Sequence, residues 1–236
     1  MKTINPPPPL PIRTISYPVL VFIFLIALAI GGFLQEARWR GAFTGLFQSP
    51  LETPAQQLNL AEIAFKNGND AVALNFFKRL ASQNDAVAQY WLAHMTELGL
   101  GAPRDIPTAI SLYEKAAAQN IVAAQARLGE IYLDGNLVAP DYAKAFALLG
   151  KAARQGNPRS AMLLGQIYRF GPGTAADPIE SYAWSEVAVV EGFSFAKIER
   201  DAAFTSLSSS DRDKGATRAA VILAEIPKRP APSTTP

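Results

Sequence analysis

AQARLGEIYLDGNLVAPDYAKAFALLGKAARQG, residues 124–156, is one unit of a message repeated three times between Ala88 and Gly192. Leu92, Leu128 and Leu164 stand 36 residues apart, as do Gly99, Gly135 and Gly171, and Asp105, Asp141 and Asp177. Ala116-Ala117 recurs as Ala152-Ala153 and as Ala188-Val189, and Asn120 recurs as Gly156 and Gly192. A fixed period of this size is the signature of a solenoid, in which each unit buries its apolar face only by stacking on its neighbours.

Within a unit the residue types write a helix pair. Helix A carries Ala88-x-x-x-Leu92-Ala93, Ala124-x-x-x-Leu128-Gly129 and Ser160-x-x-x-Leu164-Gly165. The leucine fills the space between helices, and the small residue after it admits a neighbouring helix. Tyr132 and Tyr168 follow four residues later on the same face, with Thr96 in their place in the first unit. Gly99, Gly135 and Gly171 suit the left-handed position that closes a helix. Asp105, Asp141 and Asp177 then cap helix B, with Pro107 and Pro178 in its first turn. Helix B is expected to bury Ala109, Leu112 and Ala116, then Ala145, Leu148 and Ala152, then Ser181, Trp184 and Ala188.

Outward from the repeats, Thr53-Pro54-x-Gln56 reads as a capping box opening a degenerate unit, with helices to about Asn67 and over 70–82. After Gly192 the pattern fades: 193–204 reads as a helix with Arg200 in the leucine column. A last helix follows the serines at 208–210 and runs to about Ile226, with Ala216, Ala219, Ala220, Leu223 and Ile226 inward. These close the open end of the stack. The fold class is all-α, an α-solenoid of stacked antiparallel helix pairs over 55–226, preceded by a single transmembrane helix.

That preceding segment is 17–34, which has no charged residue. Eighteen residues rising about 1.5 Å each cover roughly 27 Å, close to the hydrocarbon thickness of a bilayer. Tyr17 flanks it on one side and Arg38, Trp39 and Arg40 on the other, with Phe22, Phe24 and Leu25 in the apolar body. The expectation is an uncleaved anchor in a bacterial inner membrane with the repeats outside the cytoplasm, although the flanking charges nearly balance and a cytoplasmic orientation stays open. Ala27-Leu28-Ala29 allows a cleaved signal peptide as the competing reading. Residues 1–16 are a Pro-rich tail, 35–54 a linker and 227–236 a second tail.

Composition narrows the function. Net charge is +2 with 22 basic and 20 acidic residues, against the basic stripe of a nucleic-acid binder. With no cysteine there is no disulfide, thiolate metal site or cysteine nucleophile. His94 is the sole histidine and has no obvious catalytic partner. It reads as a helix-surface residue. The periodic aspartates read as caps, and no Gly-Lys-Ser/Thr follows the glycine pairs. No enzyme activity, cofactor, metal or small-molecule substrate is expected.

The columns quoted above resemble the Sel1-like repeat family, a relative of the tetratricopeptide repeats. The second unit matches through Ala124, Leu128, Gly129, Tyr132, Gly135, Val138, Asp141, Ala145, Ala152, Ala153 and Gly156. The third matches through Leu164, Gly165, Tyr168, Gly171, Gly173, Asp177, Trp184, Ala188 and Gly192; the first departs at Ala93 and Thr96. The resemblance implies a scaffold or adaptor that binds a protein or peptide partner, here in a membrane complex. In the tetratricopeptide relatives helix A lines the binding face. Carried over, that gives Tyr90, His94, Glu97 and Leu98, then Ala126, Glu130, Leu133 and Asp134, then Met162, Gln166, Arg169 and Phe170. Tyr90, Met162, Arg169 and Phe170 are the residue types that anchor interfaces. Two other roles remain open: an accessory subunit contacting its complex mainly through the apolar span, with Ala27, Ala29, Gly31 and Gly32 as a close-packing face, and a secreted repeat protein after cleavage.

Overall fold

Ten α-helices and no strand make up the described residues, 53–228, of the computed structural model. They are α1 Pro54–Lys66, α2 Asp70–Ser82, α3 Ala86–Leu98, α4 Ile106–Ala118, α5 Val122–Asp134, α6 Tyr142–Arg154, α7 Pro158–Phe170, α8 Pro178–Val190, α9 Ala196–Ser206 and α10 Ser209–Glu225. Odd-numbered helices are the A helices and even-numbered ones the B helices. From α1 to α9 each packs on the next in order, and α10 packs back on α8.

The punctuation read from the sequence is what ends the helices. Thr53 and Gln56 form the reciprocal capping box of α1. Asp105, Asp141 and Asp177 accept backbone N–H groups of the first turns of α4, α6 and α8. Gly99, Gly135 and Gly171 lie in the left-handed region with φ of 75°, 67° and 78°. A backbone bond from each capping aspartate back to helix A (Asp105 N–H to Thr96 O, Asp141 to Tyr132, Asp177 to Tyr168) repeats with the period and fixes the A–B turn.

Small residues set the helix spacing. A Cβ on Gly129 would stand 2.8 Å from Leu149 Cγ, and one on Gly165 only 2.4 Å from Ser185 Oγ and 3.1 Å from the Ser181 carbonyl oxygen. Gly173, at φ 78°, brings its backbone so close to the start of α6 that a Cβ would meet Tyr142 Cβ at 2.7 Å. Gly165→Ala should therefore overpack the α7–α8 contact and cost about 1–3 kcal/mol, read as a lowered denaturation midpoint with unchanged helicity.

Three expectations need correction. Leu112 and Leu148 are only half-buried; the fully buried large side chains are their neighbours Tyr113 and Leu149. The reason is helical phase: Ala109, Tyr113 and Ala116 (and Ala145, Leu149 and Ala152) turn toward the partner helix, while Leu112 and Leu148 lie beside it at the seam between units. The helix expected from Phe193 starts instead at Ala196, because 191–195 form a turn closed by Phe193 N–H on the Ala188 carbonyl. On α10 the inward residues are Gly215, Ala219 and Ile222, continued by Ile226; Ala216 and Ala220 are exposed. Gly215 decides that phase, since a Cβ there would stand 2.6 Å from Tyr182 Cδ1.

The degenerate first unit is a full helix pair, α1–α2, whose core of Phe77 and Leu80 continues into Met95. At the other end Trp184, Leu149, Leu164 and Val187 share a core with Ile222 and Ile226 of the closing helix. The apolar stretch 17–34, with Tyr17, Phe22, Phe24 and Leu25, and the flanking Arg38, Trp39 and Arg40, lie outside the described residues. Among the described residues no helix is long and apolar enough to cross a membrane.

Candidate partner-binding face

The A helices bring the proposed contact residues onto one side, where most engage one another across the unit boundaries. Glu97, on α3, is 4% exposed. It accepts the Tyr113 hydroxyl at 2.8 Å and the Arg127 Nε at 3.1 Å, and Arg127 Nη2 closes the ion pair. Arg127 also reaches Glu130 at 3.2 Å, and Glu130 takes Arg159 of the next unit. At the far end Glu199 of α9 accepts Gln166 at 3.1 Å and Arg169 at 2.9 Å.

These ties use fixed columns. Glu97 and Arg169 are two periods apart, and so are Arg127 and Glu199. The same two columns thus hold an acid–base bridge at α3–α5 and its reversed copy at α7–α9. In the middle they hold Leu133 and Leu163, both packed on the same apolar core.

On the other side of the repeats a second ladder is made of amides. Gln119 donates to Gln89 and Gln155 to Gln125, each at 2.8 Å, and Gln89 donates to Asn84 at 2.9 Å. The sequence reading missed it, although Gln89/Gln125 and Gln119/Gln155 each recur at 36 residues. A buried amide must be hydrogen-bonded, and its partner here lies at the end of helix B in the same unit.

Tyr90 and His94 belong to an aromatic cluster. Their rings stack at 6.3 Å, with Trp91, Phe65 and Tyr113 around them. The expectation of a surface histidine is thereby corrected: His94 is half-buried, with Nδ1 3.5 Å from the Tyr113 hydroxyl oxygen. Burial pushes the imidazole below its ordinary value, opposed by Glu97 and assisted by Arg127. Burial acts to raise the Glu97 carboxyl, but hydrogen bonds from Arg127 and Tyr113 outweigh it and hold the group below its usual range.

Both shifts act on stability in the same direction. Below its unfolded value near 6.5 the unfolded chain binds the His94 proton more tightly than the folded one, so stability falls as pH drops through that range. The Glu97 contribution is present above its unfolded value near 4.5 and is lost as pH falls through the lower folded value. His94→Gln should flatten the slope of stability between pH 7 and 5.5 and leave the steeper loss below pH 4.5, as followed by urea denaturation at each pH.

The remaining residues separate by exposure. Leu133, Met162 and Gln166 are half-buried. Phe170 is 69% exposed at the end of α7, its ring under the Arg169 guanidinium at 5.1 Å. Leu98, at the same end of α3 and in the same column, is 53% exposed. The structure therefore brings Glu97, Glu130, Gln166 and Arg169 into internal ties and leaves Leu98, Asp134 and Phe170 outward. Among the described residues no group of three or more His, Asp or Glu side chains is placed to hold a metal ion.

The Sel1 repeat family model matches residues 86–121, 122–157 and 158–189. A crystallised Sel1 repeat protein from Oxalobacter formigenes is 24% identical, over 75% of this chain and 77% of that one, with a TM-score of 0.62. A protective antigen of uropathogenic Escherichia coli with an SLR fold is 22% identical, over 78% of this chain and 51% of its own length, with a TM-score of 0.51. No curated protein matches the sequence. The matched segments begin at α3 and pass through the helix pairs α3–α4, α5–α6 and α7–α8, so residues 86–189 are similar to three consecutive Sel1 repeats, and the described residues form an all-helical solenoid.

Proposed function

We infer a role in protein–protein interaction, which Sel1-repeat proteins generally serve. We propose that this chain is a non-enzymatic scaffold that holds a protein or peptide partner on its A-helix face while tethered to a bacterial inner membrane by residues 17–34, with the repeats on the periplasmic side. The observation that carries the reading is the division of labour on that face. Glu97, Glu130 and Arg169 make ties between units, while Leu98, Asp134 and Phe170 stay exposed in one column. Exposed aromatic and aliphatic side chains on a rigid stack are what an interface anchors on. The tether rests on the uncharged stretch 17–34 with its aromatic and basic flank.

The test is crosslinking in native membranes with the full chain, wild type against Phe170→Glu. Phe170 is surface-exposed, so the variant should keep its unfolding midpoint while partner recovery falls at least tenfold. Undiminished recovery would remove Phe170 from the site. Protease protection of the repeats in intact spheroplasts would contradict the periplasmic placement.

A further inference from the structure

The opposite side of the stack carries a second feature. Between the B helices α4 and α6, with α5 as its floor, lies a cleft of about 290 Å³. Ala117, Leu128, Ala147 and Leu148 make its apolar wall, and Glu114, Tyr132, Lys144 and Lys151 stand around it. The rim is ordered: Tyr132 donates to Glu114 at 3.2 Å, and the Lys144 ammonium is 5.0 Å from the centre of the Tyr132 ring. Lys144 is also paired with Asp141 at 3.3 Å, whereas Lys151 is exposed and in no ion pair among the described residues.

One unit further on, the same seam is filled. Trp184 stands one period after Leu148, and Arg154 one period after Ala118. The Trp184 indole is 1% exposed, and the Arg154 guanidinium lies over its ring at 5.7 Å. Where α6–α8 has an indole beneath a cation, α4–α6 has a leucine, an alanine and a cleft. The volume is at the small end of ligand sites, which run from roughly 300 Å³ upward. That suits one large side chain.

We propose that this cleft is a second docking site, which takes an aromatic side chain of a partner protein, flanked by carboxylates, in the place that Trp184 fills from within the chain one unit on. The guest ring lies on Ala117, Ala147 and Leu148, with the Lys144 and Lys151 ammonium groups able to face its π surface as Arg154 faces Trp184. A carboxylate next to the aromatic residue pairs with Lys151, the uncommitted cation at the rim. This site is separate from the A-helix face and does not depend on its role.

The experiment uses the full chain in detergent micelles with methyl-labelled alanine, titrated with an acetylated, amidated Glu-Trp-Glu peptide and its Glu-Ala-Glu counterpart. The tryptophan peptide should shift the Ala117, Ala118 and Ala147 methyl signals and bind at least tenfold more tightly than the alanine peptide. Leu148→Trp fills the cleft as the next unit does and should weaken binding at least tenfold. Ala147→Phe, placed at an exposed position, does the same without touching the buried core, and Lys151→Glu should cost several-fold. The proposal is overturned if those methyls do not move, if the two peptides bind alike, or if a folded Leu148→Trp or Ala147→Phe variant binds as wild type does.

Discussion

Replacing Trp184 with alanine should cost about 3–5 kcal/mol and lower the thermal midpoint on the order of 10 °C for a domain of this length. The indole is buried among Leu149, Leu164, Val187, Ile222 and Ile226, so it joins the last 36-residue repeat to the helix that closes the stack. In a solenoid stability is carried by neighbouring contacts. The loss should accordingly be uneven. Amide exchange should rise most in α8, α9 and α10 and least in α1 and α2. Uniform acceleration along the whole chain would mean that the stack unfolds as one unit and that the closing helix is not held locally.

The second large effect is expected at Arg127. Removing it as Arg127→Met leaves the Glu97 carboxylate buried with Tyr113 as its remaining strong donor. Stripping one partner from a buried pair costs about 3–5 kcal/mol. Arg127 is itself one-third exposed, so solvent screening reduces this to about 2 kcal/mol. Adding Glu97→Gln should recover part of the loss, because a neutral amide tolerates burial better than an unpaired carboxylate. A double-mutant cycle by urea denaturation measures the coupling. A purely additive cycle would show that the bridge is ornamental and that apolar stacking alone holds the repeats.

The fold was legible because its determinants recur. Each capping aspartate, terminating glycine and helix-A leucine returns after 36 residues, and each occupies the same place in the structure. The phase of each helix was less legible. Leu112 beside Tyr113, and Leu148 beside Leu149, are adjacent apolar residues, and only the position of the neighbouring unit decides which is buried. On α10 the small residue that decides the phase is Gly215, which local pattern alone reads as helix-breaking.

The candidate face was legible in membership and not in role. Residues that vary in a repeat were read as outward contacts. Glu97 and Glu130 are matched to Arg127 and Arg159, and Gln166 and Arg169 both to Glu199, each some 29–33 residues along the chain. The reversed pair Glu97–Arg127 and Arg169–Glu199, two periods apart, was the signal that these columns face each other. His94 was read as exposed because its aromatic neighbours Phe65 and Tyr113 come from α1 and α4, far off in sequence. That leaves Leu98, Asp134 and Phe170 as the outward members of the set.

Recurrent residues build the stack, and the proposed partner contact is at the exposed ends of the A helices. Site-specific photo-crosslinking tests it most directly, with a photoreactive residue placed in the full chain at Leu98, at Phe170, or at Asn75 on the exposed side of α2, in living cells. One shared adduct of the same mass is expected at Leu98 and Phe170 and none at Asn75. Adducts absent from both Leu98 and Phe170, or equal at all three positions, would contradict it.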